Sequence, residues 1–423
     1  MRNFIHLCLL AALSPLMAGD AFLAGVAKAD ITPTTFGPMY GYSNRKCGPA
    51  TGVHDALFAK VLVLQAGESR MAIVTLDLGS IVAPNLRARI AERLKIPVVL
   101  LAASHSHSTP QYLNPDPSEP PSPYQREMED KVFAAVEQAS KSMWAAKIGV
   151  GRGEMRLGYN RLLPRDDGRV RALFDNLERI PYGPVDPEFD LLRIDDAEGN
   201  TKALIVHYAV HAVVLGSTNC KYSADYPGVM QSKVEAGWNG AQCMFVQGAA
   251  GDINPTFMAR KGVEAEDFAT TTKMGELLAA EVLKRAKTIA TNTPSKPSIL
   301  SASTLMTFKD RWAPEKTIDA GIGTVLINGE IAIAATPGEV FHKLQMDWKK
   351  GADVSYPLFY GYTYSGGGQW AGYVPDLRSA AYGGYGADVT TRLEIGAGER
   401  ILEQHRINLF RLRGMWLDAP GKP

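Results

Sequence analysis

Six consecutive apolar residues, Val-Val-Leu-Leu-Ala-Ala at 98–103, break without transition into Ser104-His105-Ser106-His107-Ser108-Thr109-Pro110. The run is too short for an ordinary helix and suits a strand buried on both faces. Such a strand needs a sheet that is itself covered, and it leaves the polar residues at its end on the edge where loops converge over a rigid scaffold. The same grammar recurs along the chain. Residues 57–65 and 71–78 read as neighbouring strands around the turn 66–70, and 85–94 has helical spacing. A long helix is expected over 124–143. Residues 189–194 and 202–213 read as a hairpin-like pair around a turn at 195–200. A strand at 242–246 runs into Gly251-Asp252-Ile253-Asn254-Pro255. A second long helix follows near 268–289, strand-rich residues lie at 323–334, and a last helical segment near 393–412. No internal repeat interrupts this order. It predicts one large mixed α/β domain, residues 22–415, with a site at strand ends.

Composition narrows the function classes. The 45 Lys and Arg against 44 Asp and Glu carry no overall electrostatic signature for nucleic acid. Residues 1–18 place one basic residue, Arg2, before an apolar run at 7–13, with small residues following, the order of a secretory signal peptide. No later apolar run is long enough to span a bilayer. The expectation is a secreted or periplasmic protein. Beyond that segment three cysteines remain, Cys47, Cys220 and Cys243, so at most one pair forms among them. Cys220 with Cys243 is the nearer choice in sequence, and spacing alone does not decide the geometry.

Of eight histidines, four fall in two pairs, His105 with His107 and His207 with His211. Imidazole is the commonest metal-binding side chain, so each pair is a candidate, against the plainer reading of loop or core histidines. Glu339, after the Thr336-Pro337-Gly338 turn, would face the same kind of strand-end site, or begin a helix with its carboxylate at the positive end of the dipole. Asp252 is equally a turn residue or a site residue. The Tyr- and Gly-rich stretch 356–385 either lines a substrate mouth or packs tight turns, and His54, Asp55 and Asp77 are second-sphere candidates. Walker, GxSxG, HExxH and GxGxxG motifs are absent.

In order, GVAKADITP, MYGY, GVHDALFAKVLVL, VTLDLGS, SHSHSTPQ, YNR, HYAVHAVVLG, YSADYPG, FVQGAAGDINP, ATPGE, WAGYVPD and YGGYGA resemble the catalytic domain of the neutral/alkaline non-lysosomal ceramidase family. The resemblance implies a zinc amidase that cleaves the N-acyl bond of ceramide or a ceramide-like lipid. His105, His211, Glu339 and Tyr373 match its zinc ligands. His107, Arg161 and Tyr385 match residues around the scissile amide. Asn254 stands where the family has a serine, and an amide cannot serve as a hydroxyl nucleophile, though it can donate a hydrogen bond. The expected chemistry is therefore attack by metal-activated water on the amide carbonyl. The C-terminal immunoglobulin-like domain of longer family members is not expected here. Two alternatives stay open: a non-catalytic metal- or ligand-binding protein on the same fold, and a hydrolase of esters or other amides.

Overall fold

The computed structural model describes residues 21–113, 120–259, 261–388 and 390–415. The expected export segment, residues 1–18, lies outside them. Among the described residues no helix is long and apolar enough to cross a membrane.

Three main sheets carry the chain. The first has six strands in the order Thr363–Tyr364, Val98–Ala103, Ser69–Leu76, Phe58–Ala66, Phe22–Asp30 and Trp144–Ala145. The second runs Gln242–Gln247, Thr201–Tyr208, Glu188–Asp195 and Lys147–Glu154. The third runs Ile299–Lys309, Thr317–Ile327, Ile331–Ala335 and Tyr356–Tyr360. The unbroken apolar runs are explained by burial on two sides. Val61, Val63 and Val74 point into one core with Leu86, Ile90, Val132 and Val136 of the helices Pro84–Leu94 and Pro123–Lys141. Their neighbours Leu62, Leu64 and Ile73 point the other way, into a core shared with Leu192 and Ile205 of the second sheet and Val325 and Ile333 of the third. Because successive side chains alternate, a one-residue slip would exchange these two sets, so both cores hold the register.

Four further helices cover the outer faces. Asp225–Gly237 and Glu264–Ala286 pack on the second sheet, and His342–Gly351 and Ala397–Leu412 on the third. The helix Pro123–Lys141 starts at a capping box. Ser122 Oγ accepts from Gln125 N at 3.1 Å, and Gln125 Oε1 accepts from Ser122 N at 2.6 Å.

Each sheet contains one parallel pair: Ser69–Leu76 with Val98–Ala103, Thr201–Tyr208 with Gln242–Gln247, and Ile331–Ala335 with Tyr356–Tyr360. The carboxyl ends of all three pairs converge, and the segments leaving them carry the polar residues described below.

Three expectations need correction. The disulfide joins Cys47 to Cys220, with Cα atoms 6.1 Å apart, and Cys243 is free. Cys243 is the second residue of the buried strand Gln242–Gln247 at one edge of the second sheet and is packed in the core under the helices, whereas Cys220 sits on a loop beyond the far end of the neighbouring strand Thr201–Tyr208. The strand expected to reach residue 213 ends at Tyr208, because His211 leaves the sheet to enter the site. Glu339 lies in a two-residue strand, Glu339–Val340, paired with Tyr373–Val374, and the helix begins only at His342.

Candidate functional site

His105 is the second residue after a buried strand and adopts φ 62°, a left-handed conformation uncommon outside glycine. Its backbone N donates to Leu78 O at 2.9 Å, and its Nδ1 donates to Gly79 O at 2.6 Å. His211 Nδ1 is likewise engaged by the carbonyls of Ala250 and Ile253. A ring whose Nδ1–H is taken by a carbonyl presents an unprotonated Nε2 when neutral. Those two Nε2 atoms stand 3.3 and 3.2 Å from the same Glu339 Oε2. Three electron-pair donors thus face one point, an arrangement that needs a positive charge between them. The ligand atoms of His105, His107 and His211 all lie within 4.8 Å of one another, close enough to hold a metal ion. The donor set fits a borderline cation that takes imidazole and carboxylate.

Burial opposes an ionised Glu339, but the His105 and His211 rings outweigh it and hold the carboxyl well below its ordinary range. Burial pushes His211 down to about 4 and holds His107 well below its ordinary value, His105 adding to the latter. Both are neutral near pH 7, the form in which imidazole ligates or donates.

Arg161 is buried beside this cluster. Its Nη1 donates to Asn254 Oδ1 at 3.1 Å, and its Nη2 donates to Gly251 O at 2.6 Å and to Tyr373 Oη at 3.2 Å. The guanidinium also lies 5.0 Å from the centre of the Tyr385 ring, which is 37% exposed at the mouth. Since Arg161 takes Asn254 Oδ1, Nδ2 is the donating end of the amide, and it donates a long bond to Phe174 O at 3.5 Å. Burial and the Glu339 carboxylate keep the Tyr373 phenol protonated, well above its ordinary value. A pocket of about 540 Å³ opens over His107, His211, Arg161, Asn254, Tyr373 and Tyr385. Seven of the eight expected residues therefore meet at one pocket or directly behind it through the His211–Glu339–His105 contacts; the eighth, Tyr385, forms its rim.

Other candidates go elsewhere. His207 is a core residue, bonded through Nδ1 to Asp190 at 2.9 Å and through Nε2 to Phe359 O at 2.8 Å. His54 stacks on Phe268 at 3.5 Å. Asp55 holds Ser223 Oγ and Ala224 N at 2.7 Å each, and Asp77 accepts from Phe58 N at 2.9 Å. Asp252 is a support. It accepts from His342 N at 2.9 Å, His342 Nδ1 at 2.6 Å and Asn160 Nδ2 at 2.9 Å, tying the helix after Glu339 to the strand before Arg161.

Some contributors were not singled out individually by the sequence, although Gly251 and Tyr362 lie in stretches that it flagged. Gln345 Oε1 accepts from Ala249 N at 2.8 Å, fixing the loop that carries Asn254. Gly251 is required by close approach, because a Cβ there would meet Glu339 O at 2.4 Å. Tyr362 lies with its ring 4.3 Å from that of His105. Its backbone N donates to Gly338 O, and its O accepts from Ala103 N, so it bridges two site-bearing segments.

The Asp252–His342 pair carries a pH prediction. Burial would raise the Asp252 carboxyl, but His342 holds it below its ordinary 3.8; burial would lower His342, but Asp252 raises it above its ordinary 6.5. The Asp252 contribution is present above 3.8 and is lost as pH falls through the depressed folded value. The His342 contribution is complete below 6.5 and is lost as pH rises through the raised folded value. The pair is thus fully expressed between those ordinary values. His342→Leu is expected to cost about 3 kcal/mol in urea unfolding at pH 6. It should also flatten the decline in stability expected of the native protein above pH 6.5; an unchanged pH profile would contradict the assignment.

Comparison with known proteins agrees with the resemblance in the motifs. The sequence model of the neutral/alkaline non-lysosomal ceramidases, N-terminal region, matches residues 22–274. The neutral ceramidase of Pseudomonas aeruginosa is 28% identical over 280 residues, 60% of this chain and 40% of that protein, so the match spans less than half the length of that relative. In fold, the crystal structure of neutral ceramidase from Pseudomonas aeruginosa superposes with a TM-score of 0.74 at 17% identity, over 95% of this chain and 76% of that one. A ceramidase complexed with C2 gives a TM-score of 0.74 at 16% identity, over 95% and 77%. With the family's sequence pattern running over more than half of its length and the matched fold over nearly all of it, the chain belongs to the neutral/alkaline non-lysosomal ceramidase family.

Proposed function

We propose that this protein is a zinc-dependent hydrolase of N-acyl amides, with ceramide or a ceramide-like lipid as its substrate class. The observation that carries the reading is the approach of His105 Nε2 and His211 Nε2 to the same Glu339 Oε2, at 3.3 and 3.2 Å, beside a pocket walled by Arg161. His105, His211 and Glu339 would hold the metal, with Tyr373 as the fourth ligand. Zinc, when bound, supplies a Lewis acid for the acyl carbonyl and lowers the pKa of water.

The chain's own groups then have separable tasks. Arg161 is a fixed cation whose remaining hydrogen-bonding capacity faces the pocket, suited to charge developing on the acyl oxygen. His107 Nε2 points at His105 Nε2 from 3.1 Å. Once that lone pair is engaged elsewhere, the His107 N–H is available to donate to the same oxygen. Asn254 offers an amide N–H and no nucleophilic hydroxyl, which supports direct attack by water on the amide carbonyl. The Tyr385 hydroxyl at the rim orients the substrate or donates to it. The order of basic, apolar and small residues over 1–18 supports export, so a lipid or small N-acyl substrate would be met outside the cytoplasm.

The test is a panel of N-acyl amides and esters with acyl chain and head group varied independently, scored by released fatty acid. Turnover is expected on amides, lost on chelation and restored by zinc. A zinc-loaded protein that turns over no member of the panel would favour the non-catalytic reading that Asn254 also permits.

A further inference from the structure

His107 has a peculiarity that the site itself does not explain. Its Nδ1 is buried and has no hydrogen-bond partner, so the ring is not held from that side by a bond. It is held by what packs on it. Gly41, at φ 97°, lies so close that a Cβ there would meet the His107 ring atoms at 2.3 Å. The Tyr40 and Tyr42 rings stand edge-on at 5.4 and 4.9 Å. The seat of His107 is therefore the loop 40–48, and the ring can be no better placed than that loop.

Three side-chain ties place the loop. Arg45 Nη2 donates to His107 O at 2.6 Å and to Tyr40 O at 3.3 Å, and Arg45 Nη1 donates to Asn219 O. Tyr42 Oη donates to Leu215 O at 3.3 Å. Cys47 is joined to Cys220 across 173 residues of sequence. The partner loop is anchored to the histidine segment as well, since Asn219 Nδ2 donates to Ser108 Oγ at 2.9 Å. Gly41, Ser43 and Asn44 from one loop and Ser217 from the other line the pocket together. The disulfide and the guanidinium thus lock two walls of the pocket to each other and to the backbone of His107.

We propose that Arg45 and the Cys47–Cys220 disulfide are positioning residues for His107, a clamp that sets the ring without touching the substrate. The proposal rests on the reading of His107 as a donor to the acyl oxygen. A displacement of about 1 Å at such a donor is enough to cost on the order of 10²-fold in rate.

The experiment compares zinc-loaded native protein, the same protein reduced with a water-soluble phosphine, and the variants Cys47→Ser/Cys220→Ser, Arg45→Lys and Arg45→Met. In the reduction the phosphine takes oxygen from water to become its oxide, and the two sulfurs take the two hydrogens. Zinc content, kcat, KM and hydrogen exchange over 40–48 and 104–109 are measured on each. Opening the disulfide is expected to leave zinc content unchanged and to speed exchange in both segments. It should lower kcat about 10- to 100-fold, with a smaller rise in KM. Arg45→Lys should recover part of what Arg45→Met loses. Exchange over 104–109 that is indifferent to the disulfide would overturn the clamp, whether or not the protein has turnover. Faster exchange with unchanged kcat would overturn the catalytic consequence. Absence of turnover in every state, with the exchange response intact, would instead strike the functional reading and leave the clamp standing.

Discussion

Glu339→Gln is expected to yield a folded protein that binds little zinc and hydrolyses N-acyl amides at no measurable rate. The substitution keeps the size of the side chain but removes the carboxylate that stands 3.3 and 3.2 Å from the two imidazole Nε2 atoms. A neutral amide is a poor partner for a divalent cation, and its NH₂ group would be aimed at the point where three electron pairs now converge. Folding should survive, because the backbone contacts of Glu339 are unaffected: its N donates to Gly372 O at 2.8 Å, and Gly251 N donates to Val340 O at 2.8 Å. The effect should match that of His105→Ala in zinc content. Metal analysis by mass spectrometry and a melt followed by circular dichroism separate loss of metal from loss of fold. Full zinc occupancy in Glu339→Gln would remove Glu339 from the ligand set.

Arg161→Lys is expected to keep zinc and lower kcat about 10²- to 10³-fold, the magnitude associated with losing one preorganised donor to an oxyanion. Arg161 uses a planar fork: one nitrogen orients Asn254 while the other holds Gly251 O and Tyr373 Oη. A lysine brings one ammonium on a flexible stem and cannot serve both groups. Two consequences follow together. The pocket loses its fixed cation, and the Asn254 amide loses the bond that sets which end faces the substrate. KM should change less than kcat, because the interaction matters most when charge develops. Retained kcat in Arg161→Lys would move the oxyanion role to His107 and Asn254.

The parts of this fold that were legible share a physical cause. Residues 57–65, 71–78 and 98–103 read as strands because they are buried on two faces and so need apolar residues throughout. The strand Lys147–Glu154 does not announce itself. It is an edge strand, half-buried along its length, and three of its eight residues are glycine; Gly149 and Gly151 face Ile289 and the Ala290 carbonyl too closely for a side chain. Ile299–Lys309, also at an edge, alternates Ser and Thr with apolar residues on an exposed face and signals only weakly. The helix Asp225–Gly237 opens with Asp-Tyr-Pro-Gly, which as a string reads as a turn; proline is tolerated there because a first-turn residue has no helical acceptor for its missing N–H.

The site divides the same way. His105, His107, His211 and Glu339 follow strand ends, and position relative to a strand is local information that a sequence carries. The resemblance in motif order added Arg161, Asn254, Tyr373 and Tyr385, whose places depend on the fold. Which distant segments meet depends on the packing of the layers. Cys47 pairs with Cys220 and not Cys243, because a strand sends Cys243 into the core while two loops bring the other two cysteines together. His207 and His211, four residues apart, part company because the strand ends between them. The order of residues sets the chemistry present at each strand end; the packing of three sheets on one core makes those ends face each other, since long-range convergence is a property of the layers and not of any segment within them.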